Sequence, residues 1–230
     1  MMYGIIGALD EEVELLEAAL EHKSEQQVGP YRYVQGTLDS KQVVICRCGV
    51  GKVAAGSCAA AMLALYPLTG LINTGAAGGI AQGMQVGDLA LSLQAVQHDV
   101  NATVFGYQLG QVPGHEPTFV ADEKLLQAAR SAAAKTGFKP PFEGTILSGD
   151  QFVSSDAVVA DLTAKFPHSV AVEMEGAAIA QIASDFKVPF LIVRAISDCA
   201  DNHGAVSYET FSREISHKSA NFVRALLNAL

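Results

Sequence analysis

The stretch SVAVEMEGAAIAQIASDFKVPFLIVRAISD, residues 169–198, decides how this chain is read. Ser169–Val172 is a short apolar run, Met174–Phe186 a helical segment of small apolar residues, and Phe190–Ile196 a second apolar run rich in Leu, Ile and Val. Strand, helix and strand follow one another with short connections, the alternation of an α/β sheet covered by helices. Unbroken apolar strands, unlike alternating ones, belong to sheets buried on both faces.

The same alternation continues upstream. Tyr3–Ala8 predicts a strand, and Asp10–Glu21 a helix with acids in its first turn and Val13, Leu16 and Leu20 on one stripe. Tyr31–Leu38 and Gln42–Cys48 flank a Leu-Asp-Ser turn and predict a hairpin. Lys52–Leu65 reads as a helix, Gly70–Thr74 as a buried strand ending in a glycine cluster, and Val86–Gln97 as a strand region. Residues 98–119 form a long loop with Pro, Gly and aromatics, and loops of that length are usually functional or interfacial. Then follow a helix at Ala121–Thr136, a strand at Gly144–Ser148, a helix at Asp156–Lys165 and, after the opening unit, a closing helix at Tyr208–Leu230. The pattern predicts one domain, residues 1–230, of α/β class: a three-layer αβα sandwich with a central mixed, mostly parallel sheet flanked by helices.

Composition narrows the function. The net charge of −9 disfavours nucleic acid and anionic membranes as partners. Half the residues are hydrophobic and only 17% are charged, which excludes disorder and points to apolar surface hidden by something beyond the chain itself. The four cysteines make no CxxC pair and read as buried thiols of a reducing compartment. With no basic start before an apolar stretch and no apolar run long enough to span a bilayer, the expectation is a soluble, cytoplasmic protein.

In such folds ligands bind at the carboxyl ends of strands. Polar residues follow apolar runs at four of them: Gly7–Glu12, Asn73–Gly79, Ala171–Glu175 and Phe190–Asp198. Glu12, Glu173 and Glu175 have a second reading, as acids offsetting a helix dipole. Arg194 does not, because a guanidinium inside an apolar strand needs a carboxylate or a ligand. Asp198 ends that same strand. Several acids and one arginine in a single crevice point to acid–base chemistry. Gly49-Val50-Gly51-Lys52 imitates a phosphate loop, but Val53 stands where Ser or Thr is needed, and Ala54 breaks a GxGxxG match. No HExxH, clustered Cys/His or GxSxG pattern supports a metal site or a serine hydrolase, so neither metal nor cofactor is expected.

The segments GIIGALDEEV (4–13), CGVGKVAA (48–55), NTGAAGG (73–79), HD…FGY (98–107), SGDQF (148–152), VAVEMEGAAIA (170–180) and VRAISDCAD (193–201) together resemble the 5′-methylthioadenosine/S-adenosylhomocysteine nucleosidases, of the nucleoside phosphorylase/hydrolase superfamily. The resemblance runs nearly end to end. It implies a nucleoside phosphorylase-like fold and hydrolysis of the N-glycosidic bond of 5′-thio-substituted adenosines, with 5′-deoxyadenosine as a further substrate, in methionine salvage. It implies Asp198 as general acid at adenine N7, Glu12 as the group that activates water, Glu175 on the ribose hydroxyls and Arg194 near water and ribose. Phe152 would stack on adenine, the main chain of Val153 would read its edge, and Met174 would lie under the ribose. Glu173, Ser197 and Gly78 fall in the same matching segments and are counted with the binding residues. Leu9, Val50, Phe105 and Tyr208 would line an alkylthio pocket. Tyr107 and Pro113 would reach the neighbouring subunit of a homodimer. Ala76 stands where relatives often carry serine, so that contact is spared or comes from backbone; Leu9 replaces a common methionine, and Tyr208 sits where phenylalanine also occurs.

Such chemistry asks for these residue types. Adenine leaves poorly as an anion, so an acid must protonate it while a second carboxylate activates water. The site has to hold a proton for Asp198 while Glu12 stays ionised. Two rivals remain. A phosphate-dependent nucleoside phosphorylase on the same fold would need converging cationic donors, and the chain has only six arginines. A non-catalytic nucleotide-binding module would have no need of both an acid and a base. Hydrolysis of 6-amino-6-deoxyfutalosine is also open, since it asks only for a roomier 5′ pocket.

Overall fold

The computed structural model describes residues 1–136, 138–200 and 204–230, with the backbone alone over 204–212. Its strands are β1 (Met2–Gly7), β2 (Glu21–Val28), β3 (Tyr31–Leu38), β4 (Lys41–Arg47), β5 (Gly70–Gly79), β6 (Leu89–Gln97), β7 (Phe119–Val120), β8 (Phe142–Ser148), β9 (Ser169–Glu173) and β10 (Phe190–Asp198). Its helices are α1 (Asp10–Ala18), α2 (Lys52–Leu65), α3 (Glu123–Thr136), α4 (Asp156–Lys165), α5 (Gly176–Asp185) and α6 (Gly204–Ala229).

The strands form one mixed sheet in the order β10-β6-β8-β9-β5-β1-β4-β3-β2, with β7 on β6. β10 also pairs with β5, so β5, β10, β6, β8 and β9 close into a ring. The centre is parallel: β1 lies between β4 and β5, and β10 runs beside β5 over Phe190–Asp198. The outer hairpin strands β2 and β3, and the β10–β6 and β5–β9 contacts that help close the ring, are antiparallel. The sheet is thus mixed and mostly parallel, as expected: the β1–β4, β1–β5, β5–β10, β6–β8 and β8–β9 pairings are parallel and hold most of the paired residues. Every residue of β10 is buried, which accounts for its unbroken apolar sequence.

Five of the six helices fall into two groups that both cover β5 and β10, while α4 buries Leu162 in a separate cluster with Val96, Leu147 and Val172. α1 and α3 pack on α6; α2 packs on α5. Both helices of this pair bury small residues, Ala55, Cys58 and Ala59 on α2 and Ala177, Ala180 and Ala183 on α5. α3 buries Leu125, Leu126, Ala129 and Ala133. Phe138 meets Phe222 of α6 edge-on, with 5.3 Å between ring centres.

Several boundaries differ from the sequence reading. α1 stops at Ala18 rather than Glu21, and residues 21–28 form an edge strand. EHKSEQQV is exposed almost throughout, so it carries no apolar alternation to announce a strand. β5 runs on through the glycine cluster to Gly79. α5 begins at Gly176, leaving Glu175 as its N-cap, and β10 extends to include Ser197 and Asp198. The 98–119 loop holds, apart from a single 3-10 turn at Thr103–Phe105 and the first residue of β7.

Candidate active site

Glu12 is reached through the β1–α1 junction. It is the third residue of α1, and its Oε2 accepts the N–H groups of Ala8 at 2.5 Å and Leu9 at 3.1 Å. Its Oε1 accepts the Ala76 N–H at 3.0 Å. The carboxylate therefore closes the start of its own helix and ties β1 to β5 at the same time. A Cβ on Gly75 would stand 2.8 Å from Glu12 Cδ, closer than carbon atoms approach, so only glycine lets β5 pass beneath this carboxylate. Burial raises the pKa of Glu12; the Arg194 charge and the three N–H groups oppose that rise. Ala76, which lacks the serine hydroxyl, contributes through its main chain.

The β9–α5 junction supplies two more acids with different tasks. Glu173 faces inward. It accepts the N–H groups of Glu175 at 3.1 Å and Gly176 at 2.8 Å, the Ser148 hydroxyl, and Nη2 of Arg194 in a buried salt bridge. Arg194 also donates to Asn73 Oδ1 at 2.5 Å, and Asn73 donates in turn to Ile6 O at 2.9 Å. Burial alone would lower the Arg194 pKa, but the charges of Glu173, Glu12 and Glu175 more than offset it, so the guanidinium stays ionised. Among the described residues Glu175 accepts the Gly51 N–H on its Oε1, at 2.8 Å. Burial, reinforced by the neighbouring Glu173 charge, pushes its pKa up to about 8.

At the end of β10, Asp198 lies opposite Gly78 of β5. Its Oδ2 is 2.8 Å from the Ser197 hydroxyl, and its Oδ1 accepts the Ala200 N–H at 2.8 Å. A Cβ on Gly78 would stand 3.1 Å from Oδ1 and 2.9 Å from the Ala200 Cβ.

These junctions enclose a cavity of about 240 Å³. Of the residues expected from sequence, Leu9, Glu12, Val50, Ala76, Gly78, Phe152, Val153, Glu173, Met174, Glu175, Ser197 and Asp198 line it. Arg194 stands behind Glu173, only 2% exposed, and is not part of the lining. Phe105 is 80% exposed on the long loop and does not reach this chain's own cavity; Tyr107 and Pro113 are likewise outside its lining. The Tyr208 side chain lies outside the described residues. Ala8, Ala77, Gln151 and Val172 join the lining without having been singled out. Val172 lies within the strand end Ala171–Glu175 and Gln151 within SGDQF, each directly beside a residue that was. A larger hollow of about 360 Å³ lies between the ends of α3 and α6, but its Asp39 and Arg224 are paired with each other at 2.7 Å and it holds none of the expected residues.

The chain matches the phosphorylase superfamily over residues 2–228. It is 43% identical, over 99% of its length and 98% of the relative's, to a 5′-methylthioadenosine/S-adenosylhomocysteine nucleosidase of Halalkalibacterium halodurans. The chain belongs to this nucleosidase family. Its fold superposes with a TM-score of 0.97 on the nucleosidase of Neisseria meningitidis solved with methylthio-immucillin-A, at 37% identity over 100% and 99% of the two chains. The futalosine hydrolase of Helicobacter pylori follows at a TM-score of 0.94 and 30% identity, over 100% and 98%. Family membership makes the chain a glycosyl hydrolase of nucleosides.

For a nucleosidase the charges of the cavity are informative. Its lining holds the carboxyl groups of Glu12, Glu173, Glu175 and Asp198 and, among the described residues, no lysine or arginine side chain. Arg194, the nearest cation, is committed to Glu173 and Asn73. The remaining arginines pair with surface acids: Arg32 with Glu17, Arg47 with Asp10, Arg130 with Glu143, Arg213 with Glu14 and Arg224 with Asp39. Such a site suits an uncharged or zwitterionic ligand and repels phosphate. Among the described residues no group of three His, Cys, Asp or Glu side chains is placed to hold a metal ion.

Proposed function

We propose that this chain hydrolyses the N-glycosidic bonds of 5′-methylthioadenosine and S-adenosylhomocysteine, and of 5′-deoxyadenosine, releasing adenine with 5-methylthioribose, S-ribosylhomocysteine or 5-deoxyribose. The observation that carries this reading is the cavity itself: the acid ends of β1–α1, β9–α5 and β10 meet there, with no cation on its lining among the described residues. Asp198 delivers a proton to adenine N7 as the bond to C1′ breaks, so the base leaves neutral. Glu12 takes a proton from the attacking water. Its raised pKa makes it a stronger base, while three N–H groups and the Arg194 charge keep the anion within reach. Glu175 holds the ribose hydroxyls, Phe152 covers the base, Met174 lies under the sugar, and Leu9 and Val50 receive the 5′ substituent. A nearby carboxylate stabilises the oxocarbenium-like sugar, by the logic of inverting glycosidases.

A single domain of residues 1–230 carries this chemistry, and the working unit is a homodimer in which Tyr107 and Pro113 complete the neighbour's pocket. The apolar side chains left in water support that unit: Val53 is 82% exposed, Val104 84% and Phe105 80%. Among the described residues no helix is long and apolar enough to cross a membrane. Cys46, Cys48 and Cys58 are buried and outside any disulfide, which fits a cytoplasmic enzyme of methionine salvage, whereas Cys199 is exposed, against the expectation of four buried thiols.

The test is adenine release from methylthioadenosine, adenosylhomocysteine, 5′-deoxyadenosine and aminofutalosine in phosphate-free buffer. Release from the first two without phosphate is the expected result. A requirement for phosphate would replace hydrolysis by phosphorolysis. Preference for aminofutalosine would move the chain toward the futalosine hydrolases, whose fold it shares.

A further inference from the structure

Lys52 of the GVGK segment and Asp99 of the HD segment have no part in the chemistry above, yet they meet beside the cavity. The turn 49–51 precedes α2 and carries Val50 and the Gly51 N–H that holds Glu175. The segment 149–153 follows β8 and carries Gln151, Phe152 and Val153 into the cavity. α2 begins in an unusual way. Its N-cap is Gly51, which has no side chain to cap with, and its first residue is Lys52, a cation where the helix dipole disfavours one.

Both anomalies are answered from a distance. Asp150 Oδ1 accepts the Lys52 N–H at 2.8 Å, the cap that Gly51 cannot supply. The N–H of Asp150 donates to Asp99 Oδ2 at 3.0 Å. Asp99 Oδ1 takes Lys52 Nζ at 2.5 Å, and the same ammonium reaches Gln97 Oε1 at 3.1 Å. The hydrogen bonds return to Lys52 and close a ring. The Lys52 and Asp99 side chains are only 16% and 20% exposed, so water competes little for the pair. Gly51 has a φ of +94°, and a Cβ there would stand 3.0 Å from Asp150 Oδ1, so the two segments press together where only glycine fits.

We propose that Lys52, Asp99 and Asp150 are positioning residues: their ring locks the base-facing segment 149–153 onto the turn whose Gly51 N–H aims Glu175 at the sugar. The lysine that imitates a phosphate-loop lysine is thereby committed to Asp99. This inference rests on the proposed nucleosidase reading and deepens it. A base-covering segment grips substrate and transition state alike, so loosening it raises KM more than it lowers kcat.

The experiment compares Lys52→Met, Asp99→Asn and the double variant with the wild type. The readouts are kcat and KM for methylthioadenosine, adenine affinity by calorimetry, and melting curves. KM should rise about tenfold and adenine affinity fall by about the same factor, with kcat within about threefold. The double variant should be no worse than the more severe single one, because both changes open one ring. Lys52→Arg should recover most of the loss. Wild-type KM and adenine affinity in the single variants, or a fall in kcat larger than the rise in KM, would overturn the inference. Should Asp99→Asn fail to fold, Lys52→Met, a change at the rim, carries the same test. A wild type that neither releases nor binds adenine would overturn the nucleosidase reading itself, and this inference with it.

Discussion

Glu175→Gln is the sharpest test of the electrostatics. In the ligand-free chain the Glu175 carboxyl is pushed up to about 8 by burial and by Glu173, from an ordinary value of 4.5. A carboxyl whose pKa is raised on folding binds its proton more tightly in the folded state. Its stabilising contribution is complete below 4.5 and is lost as pH climbs through 8. Linkage puts the contribution at about 2 kcal/mol at pH 6.5 and under about 1 kcal/mol at pH 8, a loss of about 1–2 kcal/mol. Glu12 is also raised by burial, but it is present in both proteins, so comparing them sets most of its response aside. Asp39, Asp99 and Glu14 are shifted down and act below the ordinary carboxylate range. His98 is also shifted down by burial, so its effect is confined below 6.5. Glutamine can still accept the Gly51 N–H but carries no charge to titrate. Urea unfolding at one chain concentration, at pH 6.5 and pH 8, should therefore show the wild type losing this stability and Glu175→Gln keeping it. In melting curves the difference is roughly 4 °C for a chain of this length. An equal pH response in the two proteins would refute the account of a buried carboxyl crowded by its neighbours.

Other perturbations address the remaining parts of the site. Asp198→Asn and Glu12→Gln should each lower adenine release by about 10²–10⁴-fold with the far-ultraviolet circular dichroism unchanged, and wild-type turnover in Asp198→Asn would dismiss the acid assignment. Arg194→Met should cost about 3–5 kcal/mol in urea unfolding, because Glu173 is left buried without its partner; adding Glu173→Gln should restore part of it. Gly75→Ala should displace the Glu12 carboxylate and slow adenine release about a hundredfold, a loss that normal kinetics in this variant would contradict.

Where the sequence could be read, and where it could not, follows from burial. The strands β1, β4, β8 and β10 announce themselves because their apolar runs have no competing explanation. β2 is silent because nearly all its residues face water and its order comes from pairing with β3. The glycine cluster looked like the end of a strand, yet β5 continues through it, because Glu12 and Asp198 occupy the space that side chains would need. At the site, residue types sufficed to place the acids at strand ends but not to divide their labour. Glu173 and Glu175 are two residues apart with opposite surroundings, one against Arg194 and the α5 N-terminus, the other on the Gly51 N–H. Asn73 could have been found, since a lone amide inside an apolar strand needs a partner as Arg194 does. For Glu12 the two readings of the sequence, helix-start acid and functional acid, are not alternatives. One carboxylate meets both demands, and capping fixes its position for chemistry.

The surplus of carboxyl groups also explains why water rather than phosphate is the nucleophile this site favours. Glu12 and Glu175 are both raised by burial, and Arg194 is the one cation beside them among the described groups. With a single guanidinium, already bound to Glu173, they cannot all ionise at low cost, so the empty site tends to retain protons. Introducing a phosphate dianion would add charge of the same sign at hydrogen-bond distance, where even a well-screened pair of unit charges costs several kcal/mol. A neutral nucleoside adds none. Its reaction consumes a proton at the base and yields one from water, and the water end of that exchange suits Glu12, whose pKa burial raises. With the roles proposed for Glu12 and Asp198, the cluster that would frustrate a phosphorylase suits a nucleosidase that takes a proton from water at one strand end and gives one to adenine at another.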